Sequence, residues 1–575
     1  VLARTWFLLA RNPDPGRLRR TSGEEHAMTV WAGLRRLALA ALLLGAASVA
    51  PAQADDVSAE GAARLERQIH DWLASMVGPD AKLGDRPVEV TAGAGHYQLV
   101  VQTAALVTAV TGMEITGAPF SVQLTPLDGG RWASEASGTD RKATASIPSP
   151  DGTGRGTEAT VTIAAYDQHG VIDPSLATAS HLDATTKGYK AIVTGPGDTV
   201  GRTSSLEEGT AHLGWQPAAA GRIDVVEDSE AQLFVSNAAL PNSGMMSTSI
   251  ERLRSSLRLD GVAPDHAGTL IRAAVVLVPA GMAAMRASGA NREKLTALAT
   301  QERAAAEADR RAADADRQAV AAGKMTQADR TRKADERRLQ AQARQKALQA
   351  AFAANKAAMP ALSAEQTASA HEALAALADL LTGFDEQVTA ENLHFSVAGH
   401  RTHIDKVVSG LTASAPDGRA LVRLNLAMDG FSSPDLAAGP YRDLSPHHFA
   451  ISPRIGGLPT ADLRDFLLRA ADHDTTPEDL RKQELALLVH GPLVVGLDAL
   501  SLDVGPATMT GTGEVRIFGF GLYEGEAHLV MTGLDALIAQ SSGVPQLKSA
   551  VPVMFLLKGM GKQEGTTTVW DITYR

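Results

Sequence analysis

From Asn291 to Lys356 the chain is built of Ala, Arg, Gln, Asp and Glu, with almost no large apolar side chain. That composition favours helix strongly by propensity and supplies no core of its own. It breaks once, at Gly323-Lys324-Met325, after which Thr326-Gln327-Ala328-Asp329 resembles an N-terminal capping box. The spacing predicts two long helices folded back on each other, turning at Gly323–Met325 and each about 45 Å long. A continuous rod is the alternative. Any packed body must therefore come from the segments on either side.

Those segments read mostly in period two. Phe120, Val122 and Leu124 alternate with Ser121, Gln123 and Thr125, and Val161 and Ile163 with Thr162 and Ala164. Turn clusters such as Asp128-Gly129-Gly130 and Gly195-Pro196-Gly197 separate the runs. Beyond the charged segment, Val422, Leu424, Leu426 and Met428 alternate with Arg423, Asn425, Ala427 and Asp429, and Trp570, Ile572 and Tyr574 form a last strand. Each run predicts an antiparallel sheet with one wet and one buried face. The helical period appears at Ala59–Met76, where Leu65, Ile69, Trp72, Leu73 and Met76 share a face. It appears again at Thr460–Ala471, Thr476–His490, Gly533–Gln540 and Gln546–Leu557, and after a cap at Ser363 and Gln366. Leu253, Leu257 and Leu259 lean towards helix, ahead of the apolar run Ala273–Met285. That run has 13 residues and contains Pro279, too short for a span of roughly 17–25 residues.

The fold class expected is α+β, two antiparallel β-rich regions flanking a long α-helical insertion. The divisions are 55–245 (lead-in helix and β-rich), 246–390 (helical, with the charged hairpin) and 391–575 (β-rich with helices).

The N-terminal portion speaks about destination. Arg35-Arg36 precede the apolar Leu37–Ala50, and Ala52-Gln53-Ala54 is a small-x-small site with Asp55 opening the mature chain. That is the grammar of a cleavable signal peptide over 28–54, and it implies a periplasmic protein. An uncleaved membrane anchor is the alternative, disfavoured because a span takes roughly 20 apolar residues. Residues 1–27 carry no core-building pattern and read as a mis-assigned leader upstream of the start expected at Met28. Seven arginines against three carboxylates give residues 1–54 a charge of +4, so the −11 of the whole chain becomes −15 after cleavage. Such a surface repels phosphate backbones, so nucleic acid is not an expected partner. The chain has no cysteine, which removes disulfides, thiolate metal sites, cysteine nucleophiles and a lipid-modified cysteine together.

No zinc-protease motif, phosphate loop or nucleophile elbow is present. His400 and His403 have the spacing of a ligand pair, yet in a strand they would face opposite sides. His447-His448 read as a solvated loop. Asp472-His473-Asp474 read as a loop feeding a helix cap, with a cation site as the alternative. Gly519, Gly521 and Gly525 read as a hairpin turn with flanking strand ends. The sequence nominates no catalytic, cofactor-binding or metal residue.

Near the C-terminus, Gly511-Thr512-Gly513-Glu514-Val515 leads to Gly525-Glu526-Ala527-His528-Leu529-Val530-Met531, then Gly533-Leu534-Asp535-Ala536-Leu537-Ile538 and Val569-Trp570-Asp571-Ile572. This arrangement resembles exported bacterial envelope proteins of unknown function with an AsmA-like β-rich C-terminal region, over about the last hundred residues. The resemblance implies sheets forming elongated grooves or barrels, a role in lipid handling or outer-membrane homeostasis, and no catalytic residue. The helical segment at 291–358 departs from the pattern. Three readings follow: a non-enzymatic envelope protein binding a lipid or amphiphile, a scaffold whose helical arm docks another envelope protein, and a hydrolase with scattered catalytic residues. Under the first, Leu529, Met531 and Trp570 line an apolar groove; ordinary core packing is the competing fate of each.

Overall fold

The computed structural model describes residues 57–77, 86–111, 114–147, 156–173, 178–195, 201–240, 244–358, 363–380, 382–397, 399–434, 439, 442–470, 477–518 and 522–574. Ala52, Ala54, Asp55 and Asp472–Asp474 lie outside them, as do Gly519 and Gly521. The described chain divides into a helical unit spanning 276–366 and a β-rich unit that holds most of the remainder.

The β-rich unit begins with helix α1 (Ala59–Val77) and strands β1 (Val88–Ala92) and β2 (Tyr97–Val101), followed by helix α2 (Thr103–Thr111). Then come β3 (Glu114–Gly117), β4 (Phe120–Pro126), β5 (Trp132–Ile147), β6 (Thr157–Asp173), β7 (Thr178–Thr194), β8 (Arg202–Pro217), β9 (Ile223–Leu240) and β10 (Gly244–Val262). Helices α3 (Pro264–Ala321), α4 (Gln327–Ala358) and α5 (Ala364–Leu380) intervene before β11 (Gly383–Val397), β12 (His400–Ser414), β13 (Arg419–Asp429) and β14 (Pro446–Pro459). After α6 (Thr460–Ala470) and α7 (Pro477–Val489) the strands resume with β15 (Leu493–Val504), β16 (Ala507–Ile517) and β17 (Tyr523–Thr532). The chain closes with α8 (Leu534–Ser542), α9 (Val551–Met560), β18 (Lys562–Glu564) and β19 (Thr567–Tyr574).

Nearly every strand pairs antiparallel with the next in sequence, so the sheet is an up-and-down meander. The exceptions are at its ends, where β2 pairs β4, β3 shares the edge of β5 with β4, and β19 lies between β17 and β18. The two expected β-rich regions are one sheet, because β10 pairs β11 from Met246↔Val397 to Leu259↔Phe384 across the helical interruption. Leu253, Leu257 and Leu259, expected to begin a helical stretch, belong to β10. Arg252, Arg254 and Arg258 occupy the intervening positions, so the leucines had a period-two reading throughout.

At the N-terminal end this sheet has a packed core. Leu65, Ile69 and Leu73 of α1 are buried against Val88, Val90, Tyr97, Leu99, Val101, Val122 and Leu124. Gly61 is needed there, since a Cβ would stand 2.1 Å from the Tyr97 hydroxyl oxygen. The edge strand β1 is closed by α1, with the Val90 N–H donating to Glu66 Oε2 at 2.9 Å. The opposite edge, β18, is three residues long and carries Lys562 and Glu564, which blunts it against further pairing.

A line of left-handed residues crosses the sheet. Asp140, Gly188, Leu233 and Asn392 have φ of 51°, 60°, 50° and 51° in alternate strands, and Gly430 (68°) follows β13. Partner numbering places Ala164, Glu207, Glu251 and Asp405 between them on the strands that separate them. Gly188 abuts the Ala164 methyl, and Asn392 Nδ2 donates to Glu251 Oε2 at 2.5 Å. The register is the same on both sides of the line, but the apolar positions change parity. In β11 they are Phe384, Val388 and Ala390 before it and Leu393, Phe395 and Val397 after it; in β9, Ile223 and Val225 before, Phe234 and Ala238 after. The left-handed residue resets the two-residue alternation, as an irregularity in a ladder must when both halves keep an apolar side.

In the helical unit, α4 opens on the expected cap, with the Asp329 N–H donating to Thr326 Oγ1 at 3.1 Å. Buried Asp316 of α3 takes Arg337 at 2.7 Å and Lys333 at 3.7 Å from α4, and Arg344 takes Asp309 at 2.6 Å and Glu302 at 2.8 Å. The Arg337 hydrogen bond holds the Asp316 carboxyl below its ordinary range. The Asp309 hydrogen bond raises the Arg344 guanidinium above its own. Ser363 and Gln366 cap α5 reciprocally, the Gln366 N–H donating to Ser363 Oγ and the Ser363 N–H to Gln366 Oε1.

Candidate apolar face of the sheet

Pairing sorts the side chains of β11–β19 onto two faces of opposite chemistry. One row across the sheet is Leu426, Ile451, Leu500, Gly511, Leu529 and Trp570; the next is Met428, Phe449, Leu502, Met509, Met531 and Thr568. Towards the other strand ends lies Val422, Ile455, Val495, Val515, Gly525 and Tyr574. Leu529, Met531 and Trp570 therefore lie on one face of the sheet.

The glycines of that face keep it low. A Cβ on Gly511 would stand 2.3 Å from Leu529 Cδ2, and one on Gly525 would stand 2.5 Å from the Tyr574 ring. The side chains of Leu529 and Tyr574 thus lie over neighbouring backbone. This is the structural content of the Gly511-Thr512-Gly513 motif.

The reverse face carries charge. Arg423 and Arg454 stand opposite each other and share Asp498, with Nε–Oδ distances of 2.6 and 3.1 Å. Arg454 also pairs with Glu514, which pairs with Arg516 at 2.7 Å. Nearer the left-handed line, Arg252 bridges Glu230 and Glu391, both at 3.2 Å. The Arg254 hydrogen bond holds Glu230 below the usual carboxylate range.

The apolar face is incompletely covered. Among the described residues of β11–β19, the buried apolar side chains are Ala390, Ala413 and Ala507, and no Leu, Ile, Val, Met or Phe joins them. Ile455 is 55% exposed, and Val422, Val495, Ile572 and Tyr574 are exposed as well. At one end α8 buries Leu534, Leu537 and Ile538, and Trp570 Nε1 donates to the Leu557 carbonyl of α9 at 2.8 Å. Helix α9 itself buries no residue. Sequence reasoning named three residues of the face and missed the rest. The alternation at Val422–Met428 and Leu500–Val504 was the available signal, but it says nothing about whether a second layer covers the leucines.

The histidines meet carboxylates in small groups, the largest of which places His169 at 3.6 Å from the same Asp183 that His212 contacts. His212, His448 and His528 each contact a carboxylate directly across a strand pair, Asp183 at 2.6 Å, Asp429 at 2.6 Å and Asp571 at 2.7 Å. These pairs sit on separate strand pairs, where opposite polar partners stabilise a ladder. His447 and His448, expected in a loop, lie in β14. His400 and His403 lie on opposite faces of β12, and His403 stacks on His394 at 4.4 Å and contacts Asp405 at 2.8 Å. Among the described residues no group of three or more His, Asp or Glu side chains is placed to hold a metal ion, and no helix is long and apolar enough to cross a membrane. No protein-family model, curated protein or solved structure matches the chain.

Proposed function

We propose that this protein is a non-enzymatic periplasmic envelope protein that binds a lipid or other amphiphile along the apolar face of β11–β19. The observation that carries the reading is the incomplete cover of that face, where rows of Leu, Ile, Val, Met and Phe are all partly exposed. Burying such surface is worth about 25 cal/mol per Å², and large exposed apolar patches mark interaction sites. An acyl chain laid along a row from β13 to β17 meets Leu, Ile, Val, Met, Phe and Gly residues, and each buried CH₂ contributes about 0.8 kcal/mol. The signal-peptide grammar of 28–54 and the AsmA-like look of the C-terminal region agree with an envelope location and a lipid ligand.

The interhelical ion pairs support the further reading of α3 and α4 as a hairpin turning at Gly323. Partners descend along α3 as they ascend along α4, from Asp316 with Arg337 to Glu302 with Arg344. In this reading the arm docks a second envelope protein.

The test is native mass spectrometry, with organic extraction, of protein purified from its own periplasm. Co-purifying lipid, lost in Leu500→Glu while the circular-dichroism melt stays in place, is the expected result. Preparations free of lipid that also fail to bind added fluorescent fatty acids or phospholipids would end the lipid reading and leave the scaffold reading first.

A further inference from the structure

We infer that helix α9 is a membrane-surface contact that seats in the headgroup and acyl boundary of an anionic phospholipid bilayer. The helix reads VPVMFLLKGM, and none of its residues is buried. Val553, Phe555, Leu556, Leu557 and Met560 are all exposed, Leu556 at 63% and Met560 at 70%. Val553, Leu556, Leu557 and Met560 have the i, i+3, i+4, i+7 spacing that normally faces a core. Here that stripe faces solvent.

The width of the apolar surface argues for lipid as the occupant. At 3.6 residues per turn, the exposed positions from Phe555 through Leu556 and Val553 to Leu557 sweep roughly 200° of the helix circumference. A protein groove takes one stripe of a helix, whereas an interfacial helix sinks a broad apolar face into the acyl boundary. Charge agrees. Residues 535–564 hold Lys548, Lys558 and Lys562 against Asp535 and Glu564, a local charge of +1 in a chain of net charge −11. Lys558 and Lys562 pair with those two acids, which leaves the positive excess at Lys548. Lysines flanking an apolar helix keep their ammonium groups at headgroup level while their stems lie in the apolar layer. A ten-residue helix is about 15 Å long, so it lies along a bilayer and does not cross it.

The helix also abuts the apolar face through Trp570 and Gly561, whose Cβ position lies 2.4 Å from Thr568 Cγ2. The contact nevertheless stands independently of whether that face holds lipid.

The experiment is co-sedimentation of the mature chain with vesicles of phosphatidylethanolamine and phosphatidylglycerol. Leu556→Glu with Met560→Glu is the disabling variant, and Leu339→Glu on the exposed surface of α4 is the control. The expected result is a fall in partitioning of about tenfold or more for the double variant, as for losing two buried apolar side chains, and none for the control. Phe555→Trp should add an emission, read as the difference from the parent chain with its own tryptophans, that blue-shifts on adding vesicles and is quenched by brominated acyl chains. Sedimentation unaffected by the double variant, or an unshifted Phe555→Trp emission, would overturn the proposal. So would a vesicle-free dimer that the double variant dissolves, which would make a second copy the occupant. Lipid extraction from the same double variant reads the sheet face separately, so the two ideas fail independently.

Discussion

Leu124 and Ile455 are both large aliphatic residues on strands of the same sheet, and truncating each to alanine should give very different costs. Leu124 is 2% exposed and packs in the α1-covered core with Tyr97, Leu99 and Val122. Removing it leaves a cavity as well as losing transfer energy, so Leu124→Ala should cost about 3 kcal/mol, within the usual range of roughly 2–5. Ile455 is 55% exposed. Full burial of such a side chain is worth about 1.5–3 kcal/mol, less than half of its surface is covered, and no closed cavity forms. Ile455→Ala should therefore cost about 1 kcal/mol or less. Urea unfolding followed by far-ultraviolet circular dichroism gives both values from midpoints at a common slope. Equal costs would refute the reasoning, because the face of β11–β19 would then be packed like the α1 end. A cost for Leu124→Ala below that of Ile455→Ala would refute it more directly.

Leu233 adopts a left-handed backbone that costs a branched or bulky residue roughly 1 kcal/mol, and its side chain is 51% exposed. Leu233→Asn should therefore raise the melting temperature, while Gly188→Ala, with its Cβ 2.7 Å from the Ala164 methyl at a φ of 60°, should lower it. The Asp316 carboxyl is held below its ordinary 3.8 by Arg337, so it stabilises the folded helices above the unfolded value. That contribution is lost as pH falls through the lower folded value. Limited proteolysis of α3 and α4 across acid pH should show the loss in the native chain, and Asp316→Asn should be more readily cleaved at neutral pH with a flatter acid response. Replacing Ala290–Ala357 by a short Gly/Ser linker should leave a cooperative melt of the sheet, since the β10–β11 pairing does not use the removed residues. A melt that loses cooperativity would show that the segment is integral to the body.

Much of the secondary structure was written in local periodicity. The 3.6-residue pattern at Leu65, Ile69 and Leu73 marks a helix that spans Ala59–Val77, and Thr326 and Ser363 stand at the helix starts where their side chains accept backbone N–H groups. Two things were hidden. The joining of β10 to β11 is a contact between residues more than a hundred apart in sequence, and no local pattern carries it. The left-handed line is hidden for a different reason. It inverts the parity of apolar positions in mid-strand, so long strands such as β9 and β11 read as weak or broken alternation. Leu253, Leu257 and Leu259 were drawn towards helix because leucine suits both states and their strand partners are remote. Leu529, Met531 and Trp570 could be named because alternation gives each strand an apolar side, but the β17–β19 pairing that joins them spans about forty residues and their exposure depends on whether a second layer is present.

The chemistry of this incompletely covered face also limits what it could select. From β13 to β19 its three rows hold aliphatic, aromatic and glycine residues and one threonine, Thr568, while Arg423, Arg454, Asp498, Glu514 and Arg516 project from the reverse side. A ligand held there is gripped through non-directional apolar burial, which grows with chain length and is indifferent to headgroup identity. In the proposed reading, affinity should therefore rise along a series of fatty acids of increasing length by about 0.8 kcal/mol per additional buried CH₂, roughly fourfold each. Phospholipids that share acyl chains and differ in headgroup should compete equally for the site. Length-independent binding by titration calorimetry, or strong preference for one headgroup, would place the ligand elsewhere than on this face.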